Sequence, residues 1–192
     1  LQSSDGDGTF EPIPRFSNHS GQRTLGVRLA PDGKDTDEFK YRLQQAKKMS
    51  HRVKSAPLGR EHISVGFQAI WKMMLQYPIG ATCFTRKQCQ KLQATYLPAF
   101  LSKMGINRTT STAVRHGPSH LGGMEVFDFE TEQGIQHTKL IIAHLRKNDE
   151  VSKLLSISLD HLQLQAGVPW PVLSQPGYSQ RLYVDPCYLS HT

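Results

Sequence analysis

The chain has 192 residues, of which 38% are hydrophobic and 20% charged, with a net charge of +7 and three cysteines at unrelated spacings. This composition is typical of a globular protein with one sizeable core or two small helical blocks, and it excludes a disordered tail and a disulfide framework. Since no apolar run approaches the ~20 residues that span a bilayer and no secretory signal is visible, we expect an intracellular protein, nuclear or cytoplasmic and not secreted, without membrane contact.

Two short strands are predicted near the N-terminus. Residues 9–16 resemble a strand, but two prolines restrict such a strand to the edge of a sheet. In residues 24–30, Leu25, Val27 and Leu29 alternate with other residues at the two-residue period of a half-buried strand. The sequence therefore predicts a small antiparallel β element within residues 1–34.

Three helices are predicted in residues 35–104. The first begins at Asp35 or Thr36 and runs to about Ser55. The residues expected to face the core are Phe39, Leu43, Ala46 and Val53. A second stripe, roughly 90–120° away around the helix, consists of the cations Lys40, Lys47, His51 and Lys54. One face would therefore pack while a neighbouring face presents positive charge.

The second helix is predicted from Arg60 to Gln76, because the residue before Pro78 is pushed away from helical geometry. Its expected inner residues are Ile63, Phe67, Ile70, Trp71, Met74 and Leu75. The third helix is predicted to start after the cap Thr85 and to be kinked or divided at Pro98. It would end near Met104, with Gly105 in the left-handed conformation. Its expected inner residues are Cys89, Leu92, Tyr96 and Phe100.

Residues 103–126 form an irregular stretch rich in small hydroxyl residues and basic side chains. The loop-forming residues, which supply backbone freedom or restraint, are Gly117, Pro118, Gly122 and Gly123. Such a composition suits contacts with phosphates, and the side chains in question are Lys103, Asn107, Arg108, Arg115 and His116. The alternative is a solvated connector between two helical blocks.

Two further helices are predicted beyond this stretch, after a short strand or extended lead-in at 125–130. One begins at Thr131 and runs to about Lys147, and its expected inner residues are Ile135, Thr138, Ile142 and Leu145. The next is capped by Asp149 and ends at Gly167, and its expected inner residues are Val151, Leu154, Leu155, Leu159 and Leu162. Asp185 and Pro186 predict another helix start with only six residues left, so we expect a fragment of a longer protein.

The net positive charge is concentrated in the central helical block. Residues 1–34 carry four basic and four acidic side chains, residues 35–104 carry twelve and four, and residues 105–192 carry seven and eight. The three regions therefore contribute 0, +8 and −1. A concentrated positive charge indicates a polyanionic partner, and the alternative is a solvated face.

An ordered series of short motifs resembles the region that follows the palm in reverse transcriptases of non-LTR-type retroelements. It spans roughly residues 20–185. The matching segments are Thr24-Leu25-Gly26-Val27, Leu75-Gln76-Tyr77-Pro78, Lys103-Met104-Gly105-Ile106-Asn107-Arg108, His116-Gly117-Pro118, Leu121-Gly122-Gly123-Met124, Glu132-Gln133-Gly134 and His144-Leu145-Arg146. The family often continues the glycine pair as GGLG, whereas Met124 and Glu125 follow it here.

The resemblance implies a mainly α fold in three parts. Residues 1–34 would be a palm-edge β element in which Leu25 and Gly26 resemble a primer grip. Residues 35–104 would be a basic, thumb-like helical bundle, and residues 105–192 a Gly-Gly connector and a second, post-thumb helical block truncated at its C-terminus. The side chains expected to bind nucleic acid are Lys40, Lys47, His51, Lys54, Lys87, Lys91, Lys103, Asn107, Arg108, Arg115 and His116.

The implied partners are an RNA template with its DNA primer and the upstream palm domain of the same polypeptide. A polymerase needs carboxylates that hold divalent ions, yet the chain has no adjacent aspartates. We therefore expect no catalytic residue, no metal site and no cofactor in this segment, and no activity of the segment alone. The Mg²⁺ of the parent polymerase would bind in its upstream palm. A helical module that binds protein is the alternative function, and a small enzyme with an unfamiliar motif is a third.

Overall fold

The computed structural model describes residues 17–174 and, before them, the backbone of the strands Gln2–Ser4 and Phe10–Pro12. The predicted helix start at Asp185 lies outside the described residues. The described chain is mainly helical with antiparallel β structure near its N-terminus, as the sequence predicts. It divides into two compact units, Leu1–Tyr41 and Arg42–Thr192.

The β structure of the first unit consists of two separate antiparallel hairpins. Strand β1 (Gln2–Ser4) pairs with β2 (Phe10–Pro12), and β3 (Gln22–Thr24) pairs with β4 (Val27–Leu29). The predicted single strand at 24–30 is therefore wrong at its start, because Leu25 and Gly26 form the two-residue turn of the second hairpin. Their φ angles of 50° and 89° fit such a turn, and Leu25 is 86% exposed rather than half-buried.

The second hairpin is held to the start of helix α1 (Thr36–Ser55) within the first unit. The Gly21 N–H donates to the Asp37 carboxylate at 2.9 Å, and the Arg28 N–H donates to Glu38 Oε2 at 2.8 Å. The Arg28 guanidinium also lies 3.9 Å from the centroid of the Tyr41 ring. The Arg28 N–H thus supplies a hydrogen bond to the buried Glu38 carboxylate, which is costly to remove from water without such a partner.

A continuous helical stretch from Arg60 to Ile79 comprises α2 (Arg60–Gly66), a π-helical segment (Phe67–Lys72) and α3 (Met73–Ile79). Its buried residues recur every four positions: Ile63, Phe67, Trp71, Leu75 and Ile79. A wider helical turn keeps this spacing on one face, which a strict period of 3.6 would not. The predicted inner position of Ile70 is therefore wrong, since it is 61% exposed. The predicted end at Gln76 is also wrong, because the helix continues to Ile79 and buries both Pro78 and Ile79.

Helix α4 (Arg86–Met104) supplies the centre of the core in the second unit. Thr85 caps the helix and Gly105 ends it at a φ of 75°, both as predicted, and Gln88 completes a reciprocal capping box with Thr85. Of the two alternatives predicted for Pro98, a kink or a division, the division is wrong, because the helix continues through the proline. Leu97, Ala99 and Phe100 are buried around this proline, and their packing compensates the lost backbone hydrogen bond.

The remaining helices are α5 (Thr112–His116), α6 (Phe129–Lys147) and α7 (Glu150–Ala166), with 3₁₀ turns at Ser119–Leu121 and Val172–Ser174. Helix α6 begins at Phe129 after its cap Asp128, two residues before the predicted start at Thr131, and residues 125–128 form no strand. Asp149 caps α7 and Gly167 ends it, as predicted.

The predicted inner face of α6 is wrong, because two polar residues occupy it. Its buried residues are Phe129, Gln133, His137 and Ile141, while Ile135 and Ile142 are exposed. The Gln133 amide donates to the Phe84 carbonyl at 2.9 Å and accepts from the Phe84 N–H at 3.1 Å. His137 Nε2 lies 3.0 Å from the Ile79 carbonyl and 2.9 Å from that of Thr82. In α7, Leu162 is buried but Val151 and Leu154 are exposed, also contrary to the prediction.

Candidate nucleic-acid interface

Four basic side chains of α1 in the second unit form an exposed surface that we call the basic face: Lys47, Lys48, His51 and Lys54. At 100° per residue they cover an arc of about 120°, centred away from the buried Ala46 and Val53. Lys47, His51 and Lys54 belong to the predicted cationic stripe, and Lys48 was not predicted. Its signal is the sequence from Phe39 to Arg60, which contains no acidic residue.

The lysines of the basic face form no ion pair with any residue that the structure describes. Some other described lysines and arginines do have carboxylate partners at the surface. Lys34 lies 3.4 Å from Asp32, Lys40 lies 3.6 Å from Asp37, Arg86 lies 3.4 Å from Glu130 and Lys153 lies 3.0 Å from Glu150. The predicted site residue Lys40 thus lies in the first unit and is paired there. The basic face retains its charge for an external partner.

Further basic side chains gather where the end of α1, the start of α2 and the end of α4 meet. Lys103 Nζ donates to the Ala56 carbonyl at 3.0 Å, just past the last turn of α1. The Arg60 guanidinium lies so close to Gly105 that a Cβ there would be 2.6 Å from its Nη2. Lys103 therefore stabilises the carbonyl end of a helix, where a cation is favoured by the helix dipole.

Lys87 and Lys91 are exposed at the opposite end of α4 from Lys103. Twelve residues separate Lys91 from Lys103, which corresponds to roughly 18 Å along a helix. The structure therefore does not bring these two lysines together with Lys103, although the three were predicted as parts of one nucleic-acid surface.

The start of the connector is a compact turn in which Arg108 is exposed. Asn107 Oδ1 accepts from the Thr109 N–H at 3.1 Å, which fixes the asparagine side chain. Arg115 Nη2 donates to the carbonyls of Arg108 and Thr110, each at 2.9 Å. Asn107 and Arg115 thus make internal hydrogen bonds, and the exposed guanidinium of Arg108 is better placed for an outside ligand.

His116 is half-buried and ties the connector to α4 and α6. Its Nδ1 lies 2.6 Å from the Val126 carbonyl, which can only accept, so this nitrogen carries the proton. Its Nε2 then accepts from the Gln93 amide at 3.5 Å, while Gln93 Oε1 accepts from the Phe129 N–H at 3.3 Å. His116 therefore serves the packing of the connector in this structure.

Asp128, at the start of α6, belongs to the same network. Burial raises the pKa of its carboxyl group, but hydrogen bonds from the Thr131 hydroxyl, the Thr131 N–H and Gln93 outweigh burial and lower that pKa. The carboxylate accepts from the Thr131 N–H at 3.0 Å and from its hydroxyl at 2.6 Å.

The glycines of the connector permit close backbone contacts. A Cβ on Gly117 would lie 2.5 Å from the Ala113 carbonyl oxygen, and one on Gly123 would lie 2.1 Å from that of Gly117. Gly122 has a φ of 80°, and the N–H of Gly123 donates to the Pro118 carbonyl at 2.9 Å. Gly117, Pro118, Gly122 and Gly123 thus build a tight loop whose groups bond one another.

Other kinds of site have little support in the described residues. Within residues 17–174 no three His, Cys, Asp or Glu side chains are grouped as a metal ion would require. Burial raises the pKa of the Cys89 thiol to about 12, so it is not a nucleophile at neutral pH. None of the helices in the described part of the chain is long and apolar enough to cross a membrane.

Comparison of the chain with protein-family models, curated proteins and solved structures gives no match.

Proposed function

We propose that the basic face of α1 binds the sugar-phosphate backbone of a nucleic-acid duplex. The duplex would be the RNA template paired with its DNA primer, gripped as by the thumb and linker of a non-LTR-type reverse transcriptase. On this proposal the chain supplies the grip, and the catalytic carboxylates with their Mg²⁺ belong to the palm of the polymerase.

The observation that supports the proposal is the set of exposed lysines without ion pairs on the basic face. Surface cations without a carboxylate partner repel one another, so a protein gains no stability from gathering them on one helix. A duplex offers a regular row of phosphates to such a surface, and each lysine that contacts a phosphate releases a condensed counterion. The face holds lysines and a histidine rather than a fork of arginines, which suits backbone contact and not base recognition.

A titration of a fluorescein-labelled RNA–DNA hybrid against the purified chain at several salt concentrations tests the proposal. We expect saturable binding whose log affinity falls linearly with log salt, with a slope of roughly −0.9 for each phosphate contact. Two hybrids of unrelated sequence should bind within about threefold of each other, because backbone contacts carry no sequence information. Binding that does not depend on salt, or no binding at low salt, would contradict the proposal.

A further inference from the structure

An apolar groove of about 170 Å³ lies on another side of α1, within the second unit. One wall consists of Met49 and Val53 of α1 and of Ala56 just past its end, and the other of three residues of the helical stretch that follows: Ile63, Gly66 and Ile70. Phe100 of α4, which is itself buried, lines the groove between them. At 100° per residue the α1 wall lies roughly opposite the centre of the basic face. The two surfaces are therefore distinct.

The groove leaves large apolar side chains in water. Ile70 is 61% exposed and Leu58, which also lines the groove, is 49% exposed. Apolar surface gathered in a concavity is a common mark of a docking site, and scattered single residues are not. Gly66 adds to the opening, because nothing lies within 4 Å of the position that its Cβ would occupy.

The dimensions of the groove match an α-helix. Met49 and Val53 lie one turn apart on α1, and Ala56 follows just past its end, where its N–H donates to the Arg52 carbonyl at 2.9 Å. This wall is therefore about 10 Å long, enough for two turns of a partner helix. A cavity of roughly 150 Å³ accommodates a benzene-sized group, so the groove takes one aromatic or large aliphatic side chain as an anchor. Parallel rows of apolar residues around a pocket are typical of surfaces that bind an amphipathic helix.

The charge around the groove determines which charge the partner helix should carry. Arg52 and His62 line the groove, and none of its lining residues is acidic. Arg52 has no ion pair among the residues that the structure describes. A partner with carboxylates beside its apolar anchor would complement this rim.

We propose that the groove between α1 and α2 binds an acidic amphipathic helix of a partner protein. That helix inserts one large apolar side chain beside Gly66 and Phe100 and places carboxylates near Arg52 and His62. This docking function is separate from duplex binding by the basic face and does not depend on it.

The test uses a fluorescein-labelled peptide of about 16 residues with leucines spaced i, i+3, i+4 and i+7 and glutamates elsewhere, and a scrambled peptide of the same composition. We expect saturable binding of the patterned peptide and binding at least about tenfold weaker for the scrambled one. Gly66→Phe should fill the groove and weaken binding by at least about tenfold, whereas Gly66→Ala should change it by less than about twofold.

A matched control distinguishes a filled groove from a damaged fold. Gly134 lies in α6 with nothing within 4 Å of its Cβ position, so Gly134→Phe adds the same ring away from the groove and should leave binding unchanged. Arg52→Glu should weaken binding of the glutamate peptide and strengthen binding of its lysine counterpart. Circular dichroism of each variant checks that helicity is retained.

Several results would overturn the proposal. They are equal binding of the patterned and scrambled peptides, unchanged binding to a folded Gly66→Phe variant, and displacement of the peptide by an RNA–DNA hybrid, which would assign the groove to nucleic acid. Self-association of the wild type that Gly66→Phe abolishes would assign it to a second copy. Gly66→Phe should leave hybrid binding unchanged, so failure of this proposal and of duplex binding are separable.

Discussion

Asp128 is a charged residue whose side chain helps to hold the connector against its neighbouring helices. Its carboxylate caps α6 through Thr131 and accepts from Gln93, whose amide also bonds to His116, so four side chains fix the junction between the connector and two helices. In the sequence these residues are separated by up to 38 positions. Their shared role follows from the fold and not from any local pattern.

The first prediction concerns the pH dependence that Asp128 confers. Because its pKa is lowered in the folded state, the carboxylate stabilises the fold above its unfolded pKa of about 3.9, and this contribution is lost as pH falls through the folded pKa. Asp128→Asn keeps an N-cap but removes the charge. We expect a lower thermal midpoint for the variant at pH 7 and a difference that narrows below about pH 4.

Thermal unfolding followed by circular dichroism between neutral pH and about pH 3 measures this effect. Thr131→Val is a useful comparison, because it removes the hydroxyl that donates to Asp128 but leaves the carboxylate. A difference between Asp128→Asn and the wild type that stays constant with pH would show that the charge does not contribute.

At the scale of elements, the connector depends on backbone contacts that only glycine allows. Gly123→Ala would place a methyl group against the Gly117 carbonyl. We expect it to lower the free energy of unfolding by about 1–3 kcal/mol, the range for overpacked sites. Gly134→Ala in α6 meets no neighbouring atom and should raise it by about 0.5–1 kcal/mol. Urea unfolding measures the free energy of unfolding of both variants. Equal values for the two would contradict the close contact at Gly123.

The helix ends were largely predictable because their signals are local. Thr85, Asp149, Gly105 and Gly167 act through bonds within one turn, so their roles follow from the sequence alone. The turn at Leu25 was missed because alternation of apolar residues indicates a strand, while the two-residue turn requires positive φ at a leucine.

Helix faces were less predictable wherever polar residues are buried. Gln133 and His137 lie inside, where they bond to backbone groups of Ile79 at the end of α3 and of Thr82 and Phe84 in the loop that follows. A prediction that places only apolar residues inside cannot foresee that buried backbone groups require polar side chains as hydrogen-bond partners. The π-helical segment could not be predicted because its apolar residues fit a face of an ordinary α-helix with 3.6 residues per turn.

At the scale of the whole molecule, much of the predicted nucleic-acid surface makes internal contacts in the structure. Lys103, Asn107, Arg115 and His116 bond to neighbouring groups, and Lys40 is paired with Asp37. The basic face remains, joined by Lys48, which composition alone did not single out. Sequence identified the charged region, but only packing shows which of its side chains are available to a ligand.

The most direct test of the central claim compares two double variants that change net charge equally. Lys47→Gln with Lys54→Gln alters the basic face, and Lys139→Gln with Lys147→Gln alters exposed lysines of α6. In the salt titration with the RNA–DNA hybrid, the first pair should flatten the slope of log affinity against log salt by about 1.8, for two lost phosphate contacts. The second pair should leave the slope unchanged. Equal slopes for the two folded variants would show that the basic face of α1 does not contact the duplex.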